Sequence, residues 1–555
     1  MLARMSKEVS VSGTLQCLIL AIVFFSVATP VVARNNTLAP LTNAQKNNPR
    51  FIESSIRVNK FRLRGFTAMP RLGITEKNVH LALQQWLKED RGLATFESLQ
   101  NIADKLTGFY RESGLTFHRA ILPPQEVKRQ TVTIRIITGK LADVQVRGQK
   151  NYSARQLNKS FKGLINHPVV KGDIEEALLL LNDSPGIETF AYFSKAKGRG
   201  RTRVNVKVTQ EKNWQGSLRT DNYGSDSTGL YRTTARLSWL NPSGAADQLD
   251  LGVMQSIEPE NNTYGSLSYN IPFFSPRFIL SMRLSNNSFD VGDGFESLKL
   301  SGDNKNSHME LSYKARRSYE GDRTFGLYLD NKVSTIGSEV ISGLLDDEEK
   351  TVAAGIYWRT SSSFFSNQIA QSTSIDLYSG QYDSQLNNIN QQSFNKTSVS
   401  YNLVLRILQS QSWLANSLSV AVRGQYSAEK LPSFEQFALS GPFAVRAVES
   451  GFFSADRGAI ATAQWYWQLP RNSYLSIRPY VFMDRAVGEQ LDSQSSISNK
   501  SDIQGQGFGV DVQILSSVNL KLIWARSSFI KQGIKLDQES DAQSSFLAEI
   551  SVPFN

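Results

Sequence analysis

Beyond Asn213 no stretch of this 555-residue chain repeats at the helical period; short runs alternate apolar and polar side chains to the end, broken by Gly, Ser, Asn and Asp. Successive side chains on a strand point to opposite faces, so each run carries one apolar and one polar face. Tyr231, Thr233, Ala235, Leu237 and Trp239 share a face against Arg232, Thr234, Arg236 and Ser238. Phe278, Leu280, Met282 and Leu284 stand against Arg277, Ser281 and Arg283, and the pattern returns in Val399, Tyr401, Leu403, Leu405 and Ile407 and in Leu418, Val420 and Val422. Arginines on an otherwise apolar strand require a wet second face. Apolar residues toward lipid and polar ones toward a lumen make a transmembrane β-barrel, and segments of about 9–11 residues with their turns and loops leave room for roughly 14 to 18 strands. Every backbone group in lipid needs a partner, so such a sheet has to close. The segments show no blade period that would suit a propeller.

The N-terminus fits export. Arg4 and Lys7 precede an apolar run from Leu15 to Ala28, and Val31-Val32-Ala33 places small residues where a signal peptidase cuts, so residues 1–33 are expected to be a signal peptide. The run is shorter than a membrane-spanning helix needs. The only cysteine, Cys17, lies inside it behind Gln16 rather than a small residue, which argues against lipidation. Cleavage after Ala33 would leave no cysteine and hence no disulfide framework. Residues 34–52, with Pro40 and many asparagines, read as a linker. The charge balance, 61 Lys+Arg against 50 Asp+Glu, is dispersed rather than bunched, which speaks against a nucleic-acid partner.

Between these parts the chain mixes strands and amphipathic helices. Ile56, Val58, Phe61 and Leu63 alternate with one slip of phase near Asn59; Val79, Leu83, Trp86 and Leu87 form a helical stripe behind Thr75; Phe96, Leu99, Ile102, Ala103, Leu106 and Tyr110 form another that stops at Gly114. A strand over 117–122, the turn Pro123-Pro124-Gln125 and the β-branched run Thr131–Ile136 complete a β-α-α-β-β unit. Leu141–Gly148 opens a second such unit, with helices expected over 153–164 and 171–181 and a closing hairpin over 187–208. The division is therefore 53–140, 141–211 and a barrel over 213–555. The basic tip Lys195–Arg203 reads as a solvated turn.

The run Leu106–Gly114 with Tyr110, followed by Leu122-Pro123-Pro124-Gln125, and later Asn182-Asp183-Ser184-Pro185-Gly186, resembles the paired POTRA domains of two-partner secretion outer-membrane transporters of the haemolysin/haemagglutinin secretion-activation type. The resemblance covers the chain from about Phe51, and it rests most on the order of signal, two modules and barrel. It implies a sixteen-stranded antiparallel barrel and periplasmic modules whose strand edges receive an unfolded exported chain. Asp221–Ser225 and Asn241-Pro242 resemble the family's entry strands and first turn. Leu439–Arg446 resembles its long inward-folded sixth loop, with Ala447 and Val448 where the family has Gly and an aromatic residue. Pro479–Asp484 resembles the partner strand. By this resemblance Val445 and Arg446 would face Phe482 and Asp484, and the guanidinium would pair with the carboxylate to hold the loop. In the last segment Phe546, Ala548, Ile550, Val552 and Phe554 share a face and resemble the strand read by the barrel-assembly machinery, although Pro553 and Asn555 depart from its usual ending.

No enzymatic constellation competes: His80, His118, His167 and His308 lack metal-ligand spacing, no nucleophile elbow frames a Ser, and no motif asks for a cofactor. The function implied is passage of a large partner exoprotein, such as an adhesin, haemolysin or contact-dependent toxin, through the outer membrane, with lipid and lipopolysaccharide around the barrel. Two rivals stay open: an insertase for other outer-membrane proteins, which usually carries more modules, and a passive porin, which needs none.

Overall fold

The computed structural model describes residues 55–554, apart from 90–92, 293, 295, 342–345, 386–388, 408–414, 471, 473, 492–497, 516, 535 and 537. The expected signal peptide, the linker and Asn555 lie outside the described residues.

In the first module the strands Lys60–Arg64, Thr131–Ile137 and Arg119–Ile121 form one sheet, the first pair parallel and the second antiparallel. The phase slip at Asn59 is a true break: Ile56–Arg57 leaves to pair with Leu93–Ala94. The helices Glu76–Glu89 and Phe96–Glu112 bury Val79, Leu83 and Leu87 and Leu99, Ile102, Leu106 and Tyr110. Thr75 caps the first through its hydroxyl, which accepts from Asn78 N at 3.2 Å; Thr95 caps the second in the same way from Ser98 N at 3.1 Å.

The second module repeats the plan. Lys140–Arg147 lies parallel to Arg201–Glu211, which pairs with Ile187–Lys195 in a hairpin. The helix Lys171–Asn182 agrees with its periodicity, but the segment expected as one helix over 153–164 is a single α-turn, Ala154–Leu157, running into a 3-10 stretch, Asn158–Leu164. Its tighter winding still buries Leu157 and Phe161 in the module core.

From Trp214 the chain forms a closed antiparallel barrel of sixteen full strands, with the two-residue segment Gln538–Glu539 as an added rung. The last strand, Ser544–Phe554, closes on the first, Trp214–Asp221, through a short register from Glu549↔Asp221 to Phe554↔Gly216. Leu237, Trp239, Leu284, Leu327, Ile356 and Phe508 lie exposed around the outside. An apolar belt of this extent is a lipid-facing surface. Inside, the largest apolar cluster of the barrel gathers residues of the strands Arg457–Gln468, Leu475–Leu491, Ser498–Ile514 and Val518–Gly533 around one long loop, 427–456.

Candidate functional site: the lumen loop and its wall

The loop enters the lumen as a tight turn. Gly441 adopts φ +106° and its N–H donates to the Val445 carbonyl at 3.2 Å, while Val445 N–H returns to the Leu439 carbonyl at 3.2 Å. This presents the next residue, Arg446, to the barrel wall. Its Nη2 donates to Asp484 Oδ1 at 2.7 Å, its Nε to Oδ2 at 2.8 Å, and its own backbone N–H to Oδ2 at 3.3 Å. The guanidinium also lies over the Phe482 ring, 3.5 Å from its centroid. Thr462 completes the carboxylate's shell at 2.9 Å, and the Gln464 amide, turned so that its oxygen faces the cation, accepts from Nη1 at 2.7 Å. Arg446 is 5% exposed and Asp484 fully buried.

Val445, Arg446, Phe482 and Asp484, picked from the sequence by resemblance, are thus brought together. A two-pronged guanidinium–carboxylate contact fixes orientation as well as charge. Removing one partner of such a buried pair typically costs about 3–5 kcal/mol, because the other is left charged and dry.

Ala447 and Val448, where the family has Gly and an aromatic residue, are both buried in the apolar cluster. Ala447 has no positive φ, so a Cβ is tolerated. Its room is made across the contact by Gly505, where an added Cβ would stand 3.1 Å from that of Ala447 and 3.0 Å from Val445 Cγ1. Gly507 and Gly509 likewise receive the Phe482 and Tyr480 rings. Sequence reading missed these three, although glycine at every second position of one strand signals close approach along one face. It also missed Ser545, whose hydroxyl donates to the Arg446 carbonyl and so ties the loop to the closing strand.

The POTRA-motif residues serve local structure. Tyr110 is buried in its helix and Gly114 takes φ +88°. Leu122 and Pro123 are half-buried beyond the strand Arg119–Ile121. The Gln125 amide pairs with both backbone groups of Thr133, at 2.7 and 2.8 Å, as another strand would. In the second motif Asn182 Oδ1 accepts from Thr189 N at 3.0 Å, the Pro185 carbonyl accepts from the Tyr152 hydroxyl at 2.7 Å, and Gly186, at φ +71°, lies so close to the Lys212 carbonyl that a Cβ would overlap it.

Asp183 does something the motif did not announce: it joins the second module to the barrel. Arg317 Nη2 reaches its Oδ1 at 2.9 Å and Lys314 Nζ its Oδ2 at 2.7 Å. Beside it Arg277 donates to Glu176 at 2.9 Å, so this arginine, read as a lumen-face residue, serves the joint. Burial opposes the Asp183 charge, but hydrogen bonds from Arg317 and Lys314 and their positive charges outweigh it and hold the carboxyl below its ordinary range.

Phe546, Ile550 and Phe554 are exposed on the outer face of the last strand with half-buried Val552, and Phe554 lies over Gly216 of the first strand. Pro553 sits opposite Ser217.

A POTRA-bearing barrel whose lumen is filled by an ion-paired loop defines an outer-membrane transporter. Residues 200–512 match the haemolysin secretion/activation protein ShlB/FhaC/HecB family, and residues 57–139 match the POTRA domain, ShlB-type. The chain belongs to this family of two-partner secretion transporters. The heme/hemopexin transporter protein HuxB of Haemophilus influenzae is 23% identical over 474 residues, 82% of this chain and 80% of that protein. The hemolysin transporter protein ShlB of Serratia marcescens is 24% identical over 320 residues, 56% of this chain and 55% of that one. The solved structure of CdiB from Escherichia coli covers 93% of both chains with a TM-score of 0.75 at 17% identity, which speaks to the fold.

Proposed function

We propose that this protein exports a large partner exoprotein, of the adhesin, haemolysin or contact-dependent toxin kind, from the periplasm to the cell surface. In this reading residues 1–33 are removed on export, and residues 53–140 and 141–211 stand in the periplasm. The barrel over 213–555 is inserted by the barrel-assembly machinery, which reads Phe546, Ile550, Val552 and Phe554, into a membrane of lipid and lipopolysaccharide. The cargo arrives unfolded, adds as a strand to a module edge and crosses the lumen when the loop at 427–456 moves; folding outside supplies direction.

The observation that carries the reading is the buried Arg446–Asp484 pair, which ties a loop, rather than another strand, to the inside of the barrel wall. The family's transporters support the cargo class. The test is release of the large protein encoded beside this gene into culture medium, with wild-type protein and with residues 53–211 deleted. Loss of release with a correctly inserted barrel agrees with export through the modules. Undiminished release, or solute flux as the one measurable activity, would replace this reading with the porin.

A further inference from the structure

The tip of the loop is fixed to one wall by Arg446, but its descending limb meets a different wall. The limb makes a short 3-10 turn, Ser433–Glu435, that carries Glu435 against the strands Gly321–Ser338, Ile369–Ser384 and Ile389–Arg406. There the Glu435 carboxylate, 1% exposed, accepts from Lys332 through one oxygen and from Lys396 through the other. The Tyr378 hydroxyl donates to it at 3.2 Å. The Lys396 ammonium lies 4.8 Å from the centre of the Tyr378 ring. One anion thus answers two lysines in a site closed by Leu431, Phe394 and Tyr382.

The limb is also fixed through its backbone. Buried Asp456, at the far end of the same loop, accepts from Leu431 N at 2.8 Å and from Leu491 N, at the end of the strand that carries Asp484, at 2.6 Å. Gln425 donates to the Glu435 carbonyl at 2.9 Å.

We propose that Glu435 is a second positioning residue of the loop, opposite in charge to Arg446 and anchored on different strands of the barrel, and that it keeps the Lys332/Lys396 cation pair neutralised while the pore is shut. The loop is then a crossbar with two independent ends. Breaking either end loosens that end, and breaking both loosens the loop at both. Withdrawal of the Glu435 end leaves two adjacent lysines facing the pore, which favours anions there. The inference rests on the reading of this loop as a gate but not on the identity of any cargo.

The test uses the purified full chain in planar bilayers, comparing wild type, Glu435→Gln, Glu435→Asp, Arg446→Ala and the double variant Glu435→Gln/Arg446→Ala. Open occupancy and reversal potential in a salt gradient are read together. Glu435→Gln is expected to raise open occupancy at least about tenfold, by the usual magnitude for a broken buried ion pair, and to shift selectivity toward anions. The double variant is to open more than either single one, Glu435→Asp is to stay close to wild type, and Glu435→Gln/Lys396→Gln is to open without the anion shift. A loop held by packing alone would keep wild-type open occupancy in Glu435→Gln, because the amide fills the same volume without the charge. Should Glu435→Gln not assemble, Lys332→Gln and Lys396→Gln, each leaving Glu435 one partner, are to show smaller rises in open occupancy without the anion shift. Wild-type occupancy and selectivity in Glu435→Gln, or in both lysine variants, overturns the proposal. Because secretion is not the readout, a passed bilayer test with no release of the partner protein by the wild-type transporter would leave the anchor standing and remove the export reading instead.

Discussion

Two of this molecule's ion-pair centres, one at the loop tip and one at the joint between module and barrel, are built to different specifications. Arg446 and Asp484 are fully enclosed, one cation to one anion, with an aromatic ring, a threonine and a glutamine filling the rest of the shell. Asp183, at the joint between the second module and the barrel, is shared between Lys314 and Arg317, and Arg317 keeps a second carboxylate, Asp322, at 3.0 Å. Burial with a single partner makes a contact all-or-none, whereas sharing at a half-open site makes it graded. A gate suits the first design and a permanent joint the second.

The sharpest way to break the comparison is at the enclosed pair. Asp484→Ala should weaken the hold on the loop by about 3–5 kcal/mol. Arg446→Ala/Asp484→Ala should be less damaging than the sum of the two single changes, because neither charge is then left unpaired. A double-mutant cycle on single-channel open occupancy measures this, and additivity of the two would mean that they do not act as a pair.

At the joint the effect should be smaller. Asp183→Ala should cost about 1–3 kcal/mol, since Arg317 retains Asp322 and the neighbouring Arg277–Glu176 pair survives. Limited proteolysis of the second module in the intact protein reads it. The same contact predicts a pH dependence. The folded-state pKa of Asp183 is depressed, so its contribution is fully present above the ordinary carboxylate value of about 4 and is lost as pH falls below it. Module protection should therefore be flat from neutral pH down to about 5 and decline under stronger acid, and Asp183→Asn should lose that part of the decline.

The smallest effect is expected where packing replaces charge. Gly505→Ala puts a methyl group about a few tenths of an ångström too close to Val445 and Ala447, and should loosen the loop tip by about 1 kcal/mol or less. A modest rise in open occupancy is the readout; a change as large as that of Asp484→Ala would show packing, not the ion pair, to be the main hold.

The two regions also differ in how far the sequence discloses them. The barrel is legible because alternation along a strand is a direct print of lipid on one side and water on the other, as Leu237 and Trp239 against Arg236 and Ser238 show. Arg446 and Asp484 stand 38 positions apart and were paired through a resemblance, not through spacing. The joint was illegible. Asp183 sits in a motif that reads as a helix end, and its partners lie more than a hundred residues away, on a strand whose arginines look like any lumen-facing charge. The 3-10 stretch at 158–164 was read as α-helix because apolar spacing does not report winding when only Leu157 and Phe161 are buried.

Export of the partner protein with wild-type and Arg446→Ala transporter, at equal barrel insertion, tests the central claim most directly. Loss of release into the medium with a normally assembled barrel is the predicted result, because the loop's return to its wall sets the closed and open states between which cargo passes. Release at the wild-type level would remove the Arg446–Asp484 pair from the mechanism and contradict this account.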